Sequence, residues 1–370
     1  MRFARGRKAN TVDLIMDSFA EGMNISAVEH MHPEFGMVRG ALYIENYEIS
    51  PWGDLVKRPD GSRVNLRDPD TVQKISERCL RLLPFYRTNA SMEMVLVTPT
   101  RLFKVNPYAT LALEEITLEG GSPPFSESVR PGWVDYEVYQ DKLYISTGNN
   151  YLVEWNGRDN ARTVSDGWPD GYRFPSAIRR HLGRLFVTGF TDLDDSRAQS
   201  QLRWTELADV DTLSDDILEV RTMDDDSPLA LASLQSGLST TDQAGARATA
   251  CLLVMKRRNV LAVTGSDWAG LTDIELHPHT PGVGCVGPAA WCWGQKGLYF
   301  ASDWGIYRVQ SLQPAECVSK PIAPIFGREL AHADVVHPRV KKERLRETVL
   351  WSDPEKKQVF VHLPVHPVSA

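Results

Sequence analysis

The chain has 370 residues, 42% of them hydrophobic and 24% charged, the composition of a globular protein long enough to bury a sizeable core. No run nears the roughly 20 apolar residues of a membrane span, so insertion of this chain into a bilayer is not expected. Its 41 Lys and Arg against 48 Asp and Glu give a formal charge of −7, which excludes the basic excess of a protein that grips nucleic acid by its phosphates.

The first segment, residues 1–35, is basic at its start through Arg2, Arg5, Arg7 and Lys8, and its first eighteen residues have too few apolar positions for a core element. It also lacks the apolar stretch of a secretory signal. An arm that orders on contact with another chain is expected, with these four cations as its candidate inter-subunit contacts; a solvated terminus fits the composition equally well. Residues 40–49 read as the first strand, followed by a Pro51-Trp-Gly-Asp turn and a second short run, Leu55 to Pro59. A strand from this region is placed to close a ring against the last sheet. Over Asp70 to Leu83, apolar residues at 72, 75, 79, 80 and 83 predict one short helix stopped by Pro84.

From Leu96 onward, pairs of short apolar segments recur with a few turn residues between them, each pair reading as a hairpin. Leu143 to Trp155 and Leu298 to Val309 superpose without a gap through eleven positions. Looser versions run from Val95 to Val105, Leu185 to Trp204, Leu252 to Val263 and Val349 to Val361. Landmarks at Leu102, Leu152, Leu202, Val260, Ile306 and Val359 step by 50, 50, 58, 46 and 53 residues. A period near 50 is the length of one four-stranded sheet with its turns. The fold class predicted is therefore all-β: a β-propeller of about six blades over residues 36–370, preceded by the arm and carrying the one short helix. A β-sandwich is the rival, but its hairpins need not resemble one another.

Residues 192–226 hold twelve carboxylates against three arginines. Asp215, Asp216, Asp224, Asp225 and Asp226 are the candidate lining of a ring lumen, where like charge repels DNA phosphates; a solvated loop is the plain alternative. The spacing misses the Gly and terminal Glu of a calcium loop. His30-Met-His32 and His277-Pro-His279 lack partners at zinc spacing and read as ordinary loop histidines. Trp291, Trp293, Trp304, Tyr299 and Phe300 are expected to pack between blades rather than to stack sugars. Lys341, Lys342, Arg344, Arg346, Lys356 and Lys357 concentrate positive charge near the far end. The five cysteines form no CxxC pair and read as reduced thiols. No nucleophile elbow, phosphate loop or HExxH helix occurs, so no catalytic residue, metal or cofactor is predicted. Propeller glycosidases, however, draw their carboxylates from separate blades without a local signature.

Several strings resemble the bacteriophage tail nozzle and hub propellers. They are Phe19-Ala-Glu-Gly-Met-Asn24, Gly40-Ala-Leu-Tyr-Ile-Glu-Asn46, Glu48-Ile49, and Gly53-Asp-Leu-Val-Lys-Arg-Pro59 with Gly61. Leu185-Phe-Val-Thr-Gly189 with Leu202-Arg-Trp-Thr-Glu-Leu-Ala-Asp209, and Leu252 to Gly265, look like blades of the same family. Asp60 departs from the pattern by standing between Pro59 and Gly61. The resemblance implies a structural virion protein assembled in the host cytoplasm and forming a homohexameric ring. Its partners would be the portal or adaptor and other tail proteins, and genomic DNA would pass through the ring without tight binding. A glycan-binding propeller or glycoside hydrolase is the alternative.

Overall fold

The computed structural model describes residues 47–49, 55–57, 77–88, 92–105, 113–191, 199–221, 226–235, 250–265, 274–310, 313–327, 339–353 and 357–366. The chain divides into two units, residues 1–63, 317–341 and 365–370 in one and residues 64–316 and 342–364 in the other. In the smaller unit, β1 (Tyr47–Ile49) pairs antiparallel with β2 (Leu55–Lys57), Glu48 opposite Val56. A 3₁₀ segment over Lys320–Phe326, where Pro321 and Pro324 supply no N–H to extend a helix, ends on Gly327 at φ 73°.

The larger unit is a β-propeller. Its first blade is β3 (Arg81–Tyr86), β4 (Met92–Val97), β5 (Leu102–Val105) and β6 (Leu113–Ile116), and its second is β7 (Asp135–Tyr139), β8 (Lys142–Ser146), β9 (Val153–Trp155) and β10 (Arg162–Thr163). In the third, β11 (Ala177–His181), β12 (Arg184–Thr188) and β13 (Gln201–Glu206) are followed by an outer strand in two pieces, β14 (Asp209–Leu213) and β15 (Leu218–Glu219), both paired with β13. The fourth is β16 (Ala230–Gln235), β17 (Ala250–Met255), β18 (Asn259–Thr264) and β19 (Glu275–Pro281). The fifth is β20 (Trp291–Gly294), β21 (Gly297–Ser302), β22 (Gly305–Val309) and β23 (Glu316–Cys317), and a two-stranded sheet of β24 (Val349–Asp353) and β25 (Gln358–His362) follows. The first strands lie side by side around the axis, β7 between β3 and β11, β11 between β7 and β16, and β24 beside β20.

Local chemistry explains the meander. Gln140-Asp141 and Leu182-Gly183 join the first and second strands of blades two and three with both residues at positive φ, the primed turn whose twist matches a tight hairpin. Apolar alternation then sends one face of each sheet against its neighbour. Leu83, Phe85, Val95 and Val97 of blade one meet Leu143, Ile145, Val153 and Trp155 of blade two. Phe186, Leu202 and Trp204 of blade three meet Leu231, Leu252, Val254 and Val263 of blade four. Each fully buried aromatic or branched side chain contributes roughly 1.5–3 kcal/mol of transfer free energy, so these seams hold the blades together.

Three expectations need correction. The landmark steps predict a propeller of about six blades, and a propeller forms; among the described residues the larger unit has five blades of four or five strands and one two-stranded sheet, so only the count shifts. The last step contains 3₁₀ segments at Lys320–Phe326 and Lys342–Glu347 between β23 and β24. The helix predicted over 70–83 lies outside the described residues to position 76, and its end is strand: Arg81 pairs with Val97 and Pro84 with Met94. Leu80 and Leu83 mimic a helical interval, but Leu83 and Phe85 are buried while Leu82 and Tyr86 are exposed, which is a strand pattern. Among the aromatics expected between blades, Phe300 is buried, whereas Trp293 and Trp304 are 41% and 44% exposed.

Candidate functional site at the propeller axis

The first strands carry charges where they face the axis. Asp135 opens β7 and is 1% exposed. Its Oδ2 accepts the Ile178 N–H of β11 at 2.9 Å and its Oδ1 accepts the Tyr136 N–H at 2.9 Å. Arg81, which opens β3, donates to the Val134 carbonyl and stands 4.0 Å from Asp135. From β11, Arg179 stands 3.9 Å from Asp135 and donates to Glu137 Oε2 at 2.8 Å and to the Leu231 carbonyl of β16 at 3.1 Å. Its guanidinium also lies 4.4 Å from the centre of the Trp291 ring on β20. One side chain thus bridges the first strands of blades two, three, four and five.

Burial pushes the Asp135 carboxyl above its ordinary range, while Arg179 and Arg81 pull it back. Burial likewise lowers Arg81. A charge removed from water needs partners of this kind, since an uncompensated one costs several kcal/mol. Below the cluster, His181 is buried with Nδ1 3.0 Å from Ser233 Oγ and its ring edge-on to Phe186. Burial pushes His181 down to about 4, so it is neutral at physiological pH.

A second charged group joins blades two and three away from the axis. Glu154 accepts from Arg162, Lys142 and the Tyr144 hydroxyl at 2.8 Å each. Burial acts to raise Glu154, but these hydrogen bonds hold it below the usual carboxylate range. Arg162 continues to Asp211 of β14 at 2.8 Å.

The residues singled out in the sequence fall elsewhere. Arg2, Arg5, Arg7, Lys8, Asp224 and Asp225 lie outside the described residues. Asp215 and Asp216 occupy the link between β14 and β15, on the outermost strand of blade three, and Asp216 N–H bonds Ser214 Oγ at 3.3 Å. Asp226 precedes β16 beside Arg257. Two other acids of that segment, Glu206 and Asp211, pair with Arg184 and Arg162. His277 is exposed against Glu275 and His279 is buried against Thr280, so the two do not converge, and His30 and His32 lie outside the described residues. No group of three or more metal-binding side chains occurs among the described residues. Arg81, Asp135, Glu137 and Arg179 escaped the sequence reading because they sit on three short strands far apart in the chain; the one available signal is paired charges in strands otherwise apolar, Asp-Tyr-Glu-Val-Tyr and Ala-Ile-Arg-Arg-His.

No family model matches the chain, and no curated protein does. Solved structures that resemble it share the propeller architecture. The extracellular domain of BT4673 from B. thetaiotaomicron aligns at 11% identity with a TM-score of 0.46, over 85% of this chain and 36% of that one. BBS1N, crystallised in complex with ARL6DN, aligns at 12% identity with a TM-score of 0.35, over 80% and 83%. Hsv2 of Kluyvelomyces marxianus aligns at 11% identity with a TM-score of 0.31, over 78% and 97%. The chain spans about a third of the BT4673 domain. The chain's own sheet topology defines the class: an all-β propeller.

Proposed function

We propose that this propeller is a structural protein of a bacteriophage tail, a subunit of a homo-oligomeric ring at the nozzle or hub through which DNA leaves. The observation that carries the reading is the axial cluster. In a propeller enzyme the axis is where carboxylates from several blades meet a substrate; here Asp135 and Glu137 are held by Arg81 and Arg179, and the groups that bridge the blades are spent on one another. Shape and assembly then become the function, in keeping with the tail-nozzle motifs in the first sixty residues and in blades three and four. The net negative charge suits DNA passage, because a duplex is not retained by phosphate contacts. Electron microscopy of the purified full chain tests this: closed rings of identical subunits support it, and a monodisperse monomer at micromolar concentration counts against it.

One observation favours a second reading, a glycan-binding surface: Trp304, in the turn between β21 and β22, is 44% exposed. A Trp304→Ala variant that loses binding on a glycan array would establish that role; the absence of any glycan binding by the unmodified chain would remove it.

A further inference from the structure

The face of the propeller on which the first strands begin holds a cavity of about 240 Å³, lined in part by Asp226, Arg257, Lys342, Glu343 and Arg346. Arg346 is fixed there by its surroundings. Its guanidinium lies 3.3 Å from the centre of the Trp133 ring, and its Nε donates to the Gly132 carbonyl at 3.3 Å. Two glycines make the fit possible: a Cβ on Gly132 or Gly287 would stand 2.4 or 2.9 Å from the Arg346 carbonyl oxygen. Stacking occupies a face of the guanidinium and leaves its N–H edge for hydrogen bonds.

Beyond the Nε bond to Gly132, part of that edge is not satisfied by protein. Nη2 of Arg346 is buried and has no hydrogen-bond partner, and Arg346 forms no ion pair, among the described residues. The neighbouring cations behave differently. Arg344 is matched by Glu347 at 2.7 Å, and Arg257 by Asp303 through bonds of 2.9 and 3.1 Å. Burial, with like charge from Arg130 and Arg257, pushes Arg346 down to about 10, so it still carries its proton at neutral pH. Lys342 stands at the rim, over the Trp304 ring at 5.0 Å. The lining is three cations against two carboxylates, and one of the three, Arg257, already has its own acid.

A buried donor fork with no counter-ion, beside further cations and in a space larger than a water, needs an anion with in-plane acceptors. We propose that this cavity is an oxyanion site, in which Arg346 takes a phosphate or carboxylate group on its free edge and Lys342 closes over it. The inference stands on this geometry alone and is independent of the tail reading.

The test titrates the full chain with inorganic phosphate, and in a parallel arm with acetate, at ionic strength matched with chloride, following melting temperature and heat of binding. Saturable binding is expected, weakened at least tenfold in Arg346→Met, which keeps an unbranched apolar side chain while removing the donor fork, and about threefold in Lys342→Ala, whose exposed side chain lies over the Trp304 ring. Phosphate binding tighter than acetate identifies a phosphate group as the natural occupant; the reverse order identifies a carboxylate. No saturable effect of either anion beyond chloride, or equal binding in Lys342→Ala and the unmodified chain, overturns the proposal. Should Arg346→Met fail to fold, the Lys342→Ala comparison decides alone.

Discussion

Replacing Arg179 by Met tests whether the axial cluster holds the blades together. The substitution keeps the aliphatic stem and removes the bonds to Glu137 and the Leu231 carbonyl, the neighbour to Asp135 and the contact with Trp291. Asp135 is 1% exposed and the side chain of Glu137 15% exposed, so solvent replaces little of what is lost. Breaking a buried pair from one side costs roughly 3–5 kcal/mol, and for a domain of this size that corresponds to a fall in melting temperature of about 5–9 °C. The sign of the pH effect follows. Without Arg179, the Asp135 carboxyl is raised further, and a carboxyl raised in the folded state is less costly once protonated, so the deficit at pH 7 should narrow as pH falls toward 5. Urea unfolding of Arg179→Met, Glu137→Gln and the double variant at both pH values measures this. A loss below about 0.5 kcal/mol, or additive single effects, would refute the reasoning, because residues sharing one network couple.

His181, held near 4 by burial in the folded chain against about 6.5 unfolded, takes up a proton on unfolding between those values. Stability should therefore fall by about 2 kcal/mol between pH 7.5 and pH 5 through this residue, and His181→Asn should remove that share of the slope in urea unfolding. Gly284→Ala would place a Cβ 1.9 Å from the Lys256 carbonyl oxygen, backbone that cannot yield because Cys285 N–H binds the same oxygen at 2.9 Å. A loss of about 2 kcal/mol or more is expected in thermal melts, against less than about 0.5 kcal/mol for Gly167→Ala, which has open space. Burial pushes the Cys251 and Cys285 thiols up to about 12, so a thiol reagent should reach exposed Cys79 first and these two only on unfolding.

What could be read from the sequence was the middle of each blade. The pairs at Val95, Leu143, Leu185, Leu252 and Leu298 are the second and third strands of blades one to five, and the last pair is the β24–β25 hairpin. These strands have a neighbour on each side and bury both faces, so their apolar content is dense and their turns stand out. Even the similarity of the Leu143 and Leu298 hairpins has a structural limit: Ile145 pairs with Val153 and Phe300 with Tyr307, so the second blade's turn is one residue longer. First strands were obscured because they place charges on the axis, as in β7 and β11, or because a proline and adjacent leucines imitate a helix, as in β3. Outer strands were obscured because they are short and polar; within the acidic run, residues 209–219 form the divided edge of blade three. The axial cluster was not legible because Arg81, Asp135 and Arg179 are about fifty residues apart and only the closing of the propeller joins them.

Purified phage particles from the strain that carries this gene provide the most direct test of the structural role. Quantitative mass spectrometry with antibody labelling should find the chain at the tail, in a fixed copy number that is a multiple matching one ring. Particles that are complete and infectious without it would contradict the account.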